Sequence, residues 1–209
     1  MKRLVGLALG LTTAACSVVG VRNGTEEPRY VVSEMVGPVE IRHYDARVAI
    51  ETSVPGDEVA ARSDGFRRLA DYIFGNNRAH VSIEMTAPVA QASEKVAMTA
   101  PVGQDRDAAG NWRIRFFAPS TYTVETMPAP NNPLVSVVPV PAETLAVLRF
   151  SGDRSAEAIA GKRAELLSAL KVTAWRPADE PFAWFYDPPW TIPAFRRNEV
   201  AVPVSRARE

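Results

Sequence analysis

Thiol and imidazole are nearly missing from this chain: its 209 residues include one cysteine, Cys16, and two histidines, His43 and His80. A single cysteine excludes an internal disulfide, and its place near the start leaves the rest without a thiolate nucleophile, a thiolate heme ligand or a Cys-type zinc site. Excess charge of either sign is missing as well. Lys and Arg total 24 against 24 for Asp and Glu, interspersed along the chain, so no strong field favours nucleic acid, and nucleic-acid binding is not expected. No apolar run is long enough to cross a bilayer as a permanent helix, which takes about 20 residues. There is no Gly-x-Ser-x-Gly elbow, Gly-rich phosphate loop, His-Glu-x-x-His or acidic pair at metal-ligand spacing. Without a catalytic constellation, a binding role is a better reading than an enzyme.

Proline is plentiful at 17 residues and aromatics make up 8%, which suits a sheet-rich domain with punctuated loops. Met1-Lys2-Arg3, the apolar run from Leu4 to Leu11 and the small residues before Cys16 have the order of an export leader. Residues 1–15 are read as a lipoprotein-type signal peptide and Cys16 as its lipid acceptor. Thr13 stands where an aliphatic residue is usual, and an ordinary secretory leader is the alternative. Residues 16–29 are small and polar, as a flexible tether is, and residues 30–209 form one domain. The expectation is a monomer in a bacterial cell envelope, joined to the membrane through its N-terminal lipid. Ser17 rather than Asp after the cysteine favours the outer membrane, facing the periplasm.

From Tyr30 to Thr52 the pattern is β-like, with Val39, Ile41 and His43 alternating with Glu40, Arg42 and Tyr44 and a bulge or register switch expected at Asp45-Ala46. Asp57 is a plausible helix cap. Phe66, Leu69, Ala70, Ile73 and Phe74 then fall on one helical face, and Gly75 is a natural stop. Strands follow around Trp112–Phe117, Leu134–Val140 and Leu145–Phe150. A second helix, capped by Ser155 or Asp153, carries Ile159, Arg163, Leu166, Leu167 and Leu170 on one side. The order strand, helix, hairpin, strand therefore recurs as a weak internal duplication.

Met-Thr-Ala-Pro-Val occurs twice, at 85–89 and 98–102, each copy read as a short proline-bearing strand with a hairpin connection between them. This repeat, with Val39-Glu40-Ile41-Arg42-His43-Tyr44, Gly65-Phe66-Arg67-Arg68-Leu69, Tyr186-Asp187-Pro188-Pro189 and Arg196-Arg197-Asn198-Glu199-Val200, resembles the SOUL heme-binding protein family from about Tyr30 to the end. The resemblance implies an α+β fold: a distorted antiparallel β-barrel of two pseudo-repeated βαβ-containing halves, with two helices packed outside. It also implies reversible, non-covalent binding of heme or a related tetrapyrrole in an apolar groove, for buffering or delivery. The alternative is a module for another hydrophobic small molecule or a partner segment, with no heme role.

The groove candidates are Phe66, Leu69, Ile73, Met98 and Trp190, with Arg67 and Arg68 for heme propionates. His43 is the candidate iron ligand, since alternation places it on the face of Val39 and Ile41; a hydrogen-bonded core or rim histidine is the competing reading. Met85 and Met98 read better as core filling than as axial ligands, and His80 as a solvated loop residue.

Overall fold

The computed structural model describes residues 25–78 and 93–207. Among them the chain forms β1 (Tyr30–Val36), β2 (Val39–Tyr44), β3 (Arg47–Val54), α1 (Glu58–Ile73), β4 (Asn77–Arg78), β5 (Val102–Arg106), β6 (Trp112–Phe117), β7 (Ala129–Pro130), β8 (Ser136–Val140), β9 (Glu143–Phe150), α2 (Ala156–Leu170), β10 (Trp175–Pro177), β11 (Phe182–Phe185) and β12 (Asn198–Arg206). Cys16, His80, Met85 and the first Met-Thr-Ala-Pro-Val copy lie outside the described residues, as do residues 1–24 of the expected leader and tether.

The expected duplication is present in the pairing. β3, α1, β5 and β6 repeat the connectivity of β9, α2, β11 and β12, and in each set the last strand pairs with both others. The halves join through antiparallel β5 and β11. β2 precedes β3 but pairs with β9, and β8 precedes β9 but pairs with β3, so each half lends its first strand to the other. The sheet order is β1-β2-β9-β12-β11-β5-β6-β3-β8.

This exchange bends the sheet. Only Asp45 and Ala46 link β2 to β3, and only Pro141 and Ala142 link β8 to β9, a reach of about 11 Å at full extension. Strands near opposite ends of the order are thereby tied together, and the sheet rolls up. Ala49 on β3, Phe117 on β6, Trp184 on β11 and Val147 on β9 share one buried cluster inside the roll. No ladder joins β1 to β8 among the described residues, so the fold is α+β with a rolled antiparallel sheet that stays open. Asp45-Ala46, the expected place of a bulge or register switch, is the connection at which the chain leaves β2 and enters β3 elsewhere in the sheet.

Both helices lie outside the roll. Asp57 caps α1 by accepting from the N–H groups of Val59 and Ala60 at 2.9 and 3.1 Å. Ser155 caps α2. α1 packs chiefly on β3 and β6, α2 on β9, β10 and β12, each over its own apolar cluster. Gly65 sets the approach of α1: a Cβ there would lie 2.3 Å from Ile114 Cγ1. The second Met-Thr-Ala-Pro-Val copy is not itself a strand. Thr99 makes an isolated bridge to Glu26, and β5 begins only at Val102. The antiparallel hairpin after α1 is therefore β5–β6.

Candidate functional site

Since α1 and α2 pack on the outer strands of each half, the central pair β5 and β11 forms a floor between them. One end of this groove is bridged: Arg163 on α2 reaches Glu58 on α1 at 3.5 Å, and Gln104 Nε2 donates to the Glu58 carbonyl at 2.7 Å. The N-terminal end of α2, capped by Ser155, lies beside the second turn of α1, whereas α1 runs about three turns further, from Arg62 to Ile73. That difference leaves Phe66 38% exposed with its ring 5.2 Å from that of Phe116.

Three arginines from different elements converge at this open end. The guanidinium of Arg62 lies 4.4 Å from the centre of the Phe185 ring, and that of Arg154 lies 5.6 Å from it. Arg62 donates to the Arg154 carbonyl at 3.2 Å, and Arg154 to the Asp187 carbonyl at 3.0 Å. Arg196 holds the 187–196 loop by donating to the carbonyls of Thr191 and Pro189, both at 2.8 Å. None of the three is ion-paired with a described carboxylate; their recorded acceptors are carbonyls and the Gln104 side chain. Burial, with Arg196 and Arg62 close by, pushes the Arg154 guanidinium down to about 10, and burial likewise lowers Arg62. A desolvated Arg154 with two further cations close by, only partly offset by Asp187, is an environment that an anion relieves.

The structure brings two of the expected groove residues to this place. Phe66 flanks it, and Trp190, 64% exposed, stands on the loop that Arg196 anchors. Others are placed differently. Leu69 and Ile73 are buried in the core beneath α1, because the helix buries Ala61, Gly65, Leu69, Tyr72 and Ile73, a stripe rotated away from Phe66 and Phe74. Arg68 turns toward β3 and donates to Thr52 Oγ1 at 2.6 Å, while exposed Arg67 pairs with Asp64. Met98 is half-exposed two residues past Val96, whose N–H donates to the Ile73 carbonyl, at the other end of α1 from the arginines. His43 shares the strand face of Val39 and Ile41 but is exposed, beyond the cover of α2, with Nδ1 2.8 Å from Thr144 Oγ1. It is remote from the groove and is not placed to ligate iron there.

Sequence reasoning missed Arg62, Arg154, Phe185 and Arg196. Arg62 was legible as the residue one helical turn before Phe66. The others meet only through pairing of β11 with β5 and the return of the 187–196 loop.

The inside of the roll offers different chemistry. A cavity of about 540 Å³ opens there and around the end of β5, but four of its five arginines are ion-paired: Arg47 with Glu143, Arg113 with Asp105, Arg115 with Glu51 and Arg163 with Glu58. Deeper inside, fully buried Glu199 accepts from Arg42 at 2.9 and 3.1 Å, from Arg197 at 2.9 and 3.0 Å and from Tyr186 at 2.8 Å. Burial pushes the Glu199 carboxyl up, but these donors outweigh it and hold the group below the usual carboxylate range. Arg197 also reaches Glu27 at 2.9 Å, and Glu26 accepts from the Ser120 N–H, so part of the expected tether is bound to the domain.

No curated protein matches the chain in sequence. Among solved structures it is similar to the C-terminal domain of EcmrR, with a TM-score of 0.55 at 12% identity over 85% of this chain and 99% of that one. The EcmrR–DNA complex matches with the same score and identity over 81% of this chain and 57% of the longer one. An uncharacterized conserved protein from Listeria innocua matches with a TM-score of 0.50 at 13% identity over 88% and 94%. These likenesses show a shared fold. The SOUL heme-binding protein description matches residues 25–203, spanning both halves of the rolled sheet and all of the groove, and the chain belongs to that family.

Proposed function

We propose that the protein binds heme or a related tetrapyrrole, reversibly and non-covalently, in the groove between α1 and the 187–196 loop. The observation that carries this reading is the pair Arg62 and Arg154 over the Phe185 ring, with Arg196 on the adjoining loop, none of them ion-paired with a carboxylate among the described residues. A flat apolar ring system is accommodated by the exposed Phe66 and Trp190, and its propionates by the guanidinium groups that Phe185 backs. The residues named here supply neither imidazole nor thiolate, so ring and propionate contacts hold the ligand, and any iron chemistry belongs to the bound group itself. The role is binding rather than turnover, in buffering or delivery. Membership in a heme-binding family supports it.

The envelope location belongs to the same proposal. Its support is the Met1-to-Cys16 leader pattern, with a lipid on Cys16 holding the domain at the outer membrane. Mass measurement of protein recovered from membranes checks it: the wild type should carry acyl groups that Cys16→Ser lacks.

Hemin titration of the mature protein tests the groove. The wild type should show saturable binding and a Soret shift, and Arg62→Ala or Arg154→Ala should each weaken it about tenfold, in line with loss of one charge-assisted hydrogen bond. Arg67→Ala, on the exposed side of α1, should leave binding unchanged. Equal losses in all three variants would remove the groove from consideration.

A further inference from the structure

Asn198 is the one residue of the helix-facing side of β12 that does not fit its surroundings. Val200, Val202 and Val204 follow it on that side, and all are buried beneath α2. Asn198 is 0% exposed, and neither its Nδ2 nor its Oδ1 has a hydrogen-bond partner among the described residues. Buried side-chain amides are almost always satisfied, and leaving one unpaired costs stability that a valine or leucine would not. The other unpaired buried side-chain atoms among the described residues are the Nε groups of Arg47 and Arg163. That of Arg47 has an explanation, since its guanidinium lies 4.7 Å from the rings of both Tyr44 and Phe117. Asn198 has none within the fold.

Its position ties it to the groove. Asn198 sits directly opposite Phe185 in the β11–β12 ladder, and directly opposed residues project from the same sheet face. That ring is the one that Arg62 and Arg154 stack on. On its other side Asn198 opposes Phe150. Two residues beyond Phe150, the Gly152 N–H donates to the Pro193 carbonyl at 2.8 Å, bringing the 187–196 loop alongside. The amide thus lies beside the arginine groove, behind Phe185, and because it is fully buried a ligand reaches it only when its cover moves.

The chemistry of the pair is specific. A primary amide presents one acceptor and one donor side by side, and its complement is a group with a donor and an acceptor in the same cis arrangement: a lactam, a second amide or a neutral carboxylic acid. A carboxylate has acceptors only. It would leave Oδ1 unpaired, and carboxylates are already served by the arginines. A closed porphyrin has propionates but no donor–acceptor edge. An open-chain tetrapyrrole has both, with propionates at its centre and cis N–H and C=O groups on each terminal lactam.

We infer that the groove recognises an open-chain tetrapyrrole, with a terminal lactam paired to the Asn198 amide and propionates on Arg62, Arg154 and Arg196. This rests on the groove reading given under Proposed function and narrows its ligand class. The same pairing explains why the apo protein retains an unsatisfied amide in an otherwise valine-lined row.

The experiment compares biliverdin, hemin and protoporphyrin IX on the wild type, Asn198→Leu and Asn198→Ala, with thermal unfolding of each apo protein as the folding check. Biliverdin should bind the wild type about tenfold or more tightly than it binds Asn198→Leu, as loss of a buried bidentate contact predicts. Hemin and protoporphyrin IX should bind wild type and variant alike. Asn198→Leu should unfold at a temperature equal to or above the wild type. If Asn198→Leu does not fold, Asn198→Ala takes its place in the same comparison. Biliverdin affinity indifferent to position 198, or wild type binding hemin but not biliverdin, overturns the lactam assignment and leaves the groove reading intact. If none of the three ligands binds the wild type, the groove reading fails and this inference fails with it.

Discussion

At the scale of single residues, the strongest interaction inside the roll is the one around Glu199. A carboxylate with no exposure, two arginines and a tyrosine is stable only as a complete set, since removing one member strands buried charge. Glu199→Gln should therefore lower unfolding free energy in urea at neutral pH by about 3–5 kcal/mol. Because the Glu199 carboxyl is held below its ordinary value in the folded protein, the unfolded chain takes up a proton at this site before the folded one does. The stability it contributes is thus complete above the ordinary carboxylate value and is lost as pH falls through the folded one. Glu199→Gln should accordingly flatten the acid side of the stability profile; a variant with an unchanged acid limb would contradict this assignment. The same network argues against a cationic ligand inside the roll, because its buried carboxylate is already matched by Arg42 and Arg197. The arginines of the groove outside, by contrast, are not ion-paired with carboxylates among the described residues.

Among elements, α1 is the part whose placement sets the groove. Its N-cap Asp57, the apolar spacing around Leu69 and Ile73 and the stop at Gly75 were all readable in order, since each is a local signal. The face was read one residue out of phase. Phe66, Leu69, Ala70, Ile73 and Phe74 read as one apolar face, whereas Gly65 and Tyr72 join Leu69 and Ile73 in what the helix buries. The reason is contact distance: Gly65 lets the helix backbone close on Ile114, and a close approach turns the large neighbour Phe66 to the rim. Gly65→Ala should show this. Alanine gains about 1 kcal/mol in helix propensity, but its Cβ meets Ile114 far inside contact distance, and overpacking of this kind costs about 1–3 kcal/mol. We expect net destabilisation in urea unfolding, with weaker hemin binding as α1 lifts; a more stable Gly65→Ala protein would mean that this approach does not matter. The second Met-Thr-Ala-Pro-Val copy is a related case at element scale. Its proline and flanking apolar residues promised a strand, but Thr99 is spent on Glu26 and on the Phe117 carbonyl, and only the final valine enters the ladder.

For the molecule as a whole, strand exchange between halves is the organising fact. It ties β2 to β3 and β8 to β9 across the ends of the sheet, and the N-terminal approach reinforces the roll through Glu26 and Glu27. Truncation tests this directly. A chain starting at Thr25 keeps both contacts, and one starting at Tyr30 loses them and leaves Arg197 with Glu199 alone. The shorter chain should be less stable by about 1–3 kcal/mol, measured by denaturant unfolding of the two side by side. Equal stability would show that residues 26–29 are only a tether.

The sequence by itself determined the class of fold, its two-helix duplication, the helix caps and the family, because caps, periodicity and the repeated pentapeptide are encoded within a few residues of one another. It did not determine which strands are neighbours, and the site depends on those neighbours. Arg62, Arg154 and Arg196 are far apart along the chain, and they meet because β5 pairs with β11 and because α2 ends where α1 continues. His43 kept the strand face that alternation assigned to it and still lay open, because burial depends on what covers that face. Tertiary structure alone decided that Asn198, an ordinary letter in the Arg196-to-Val200 stretch, is buried beside Phe185 without a hydrogen-bond partner among the described residues. Local signals specify elements, whereas the match between charge, aromatic floor and unpaired amide arises only when distant strands are brought into register.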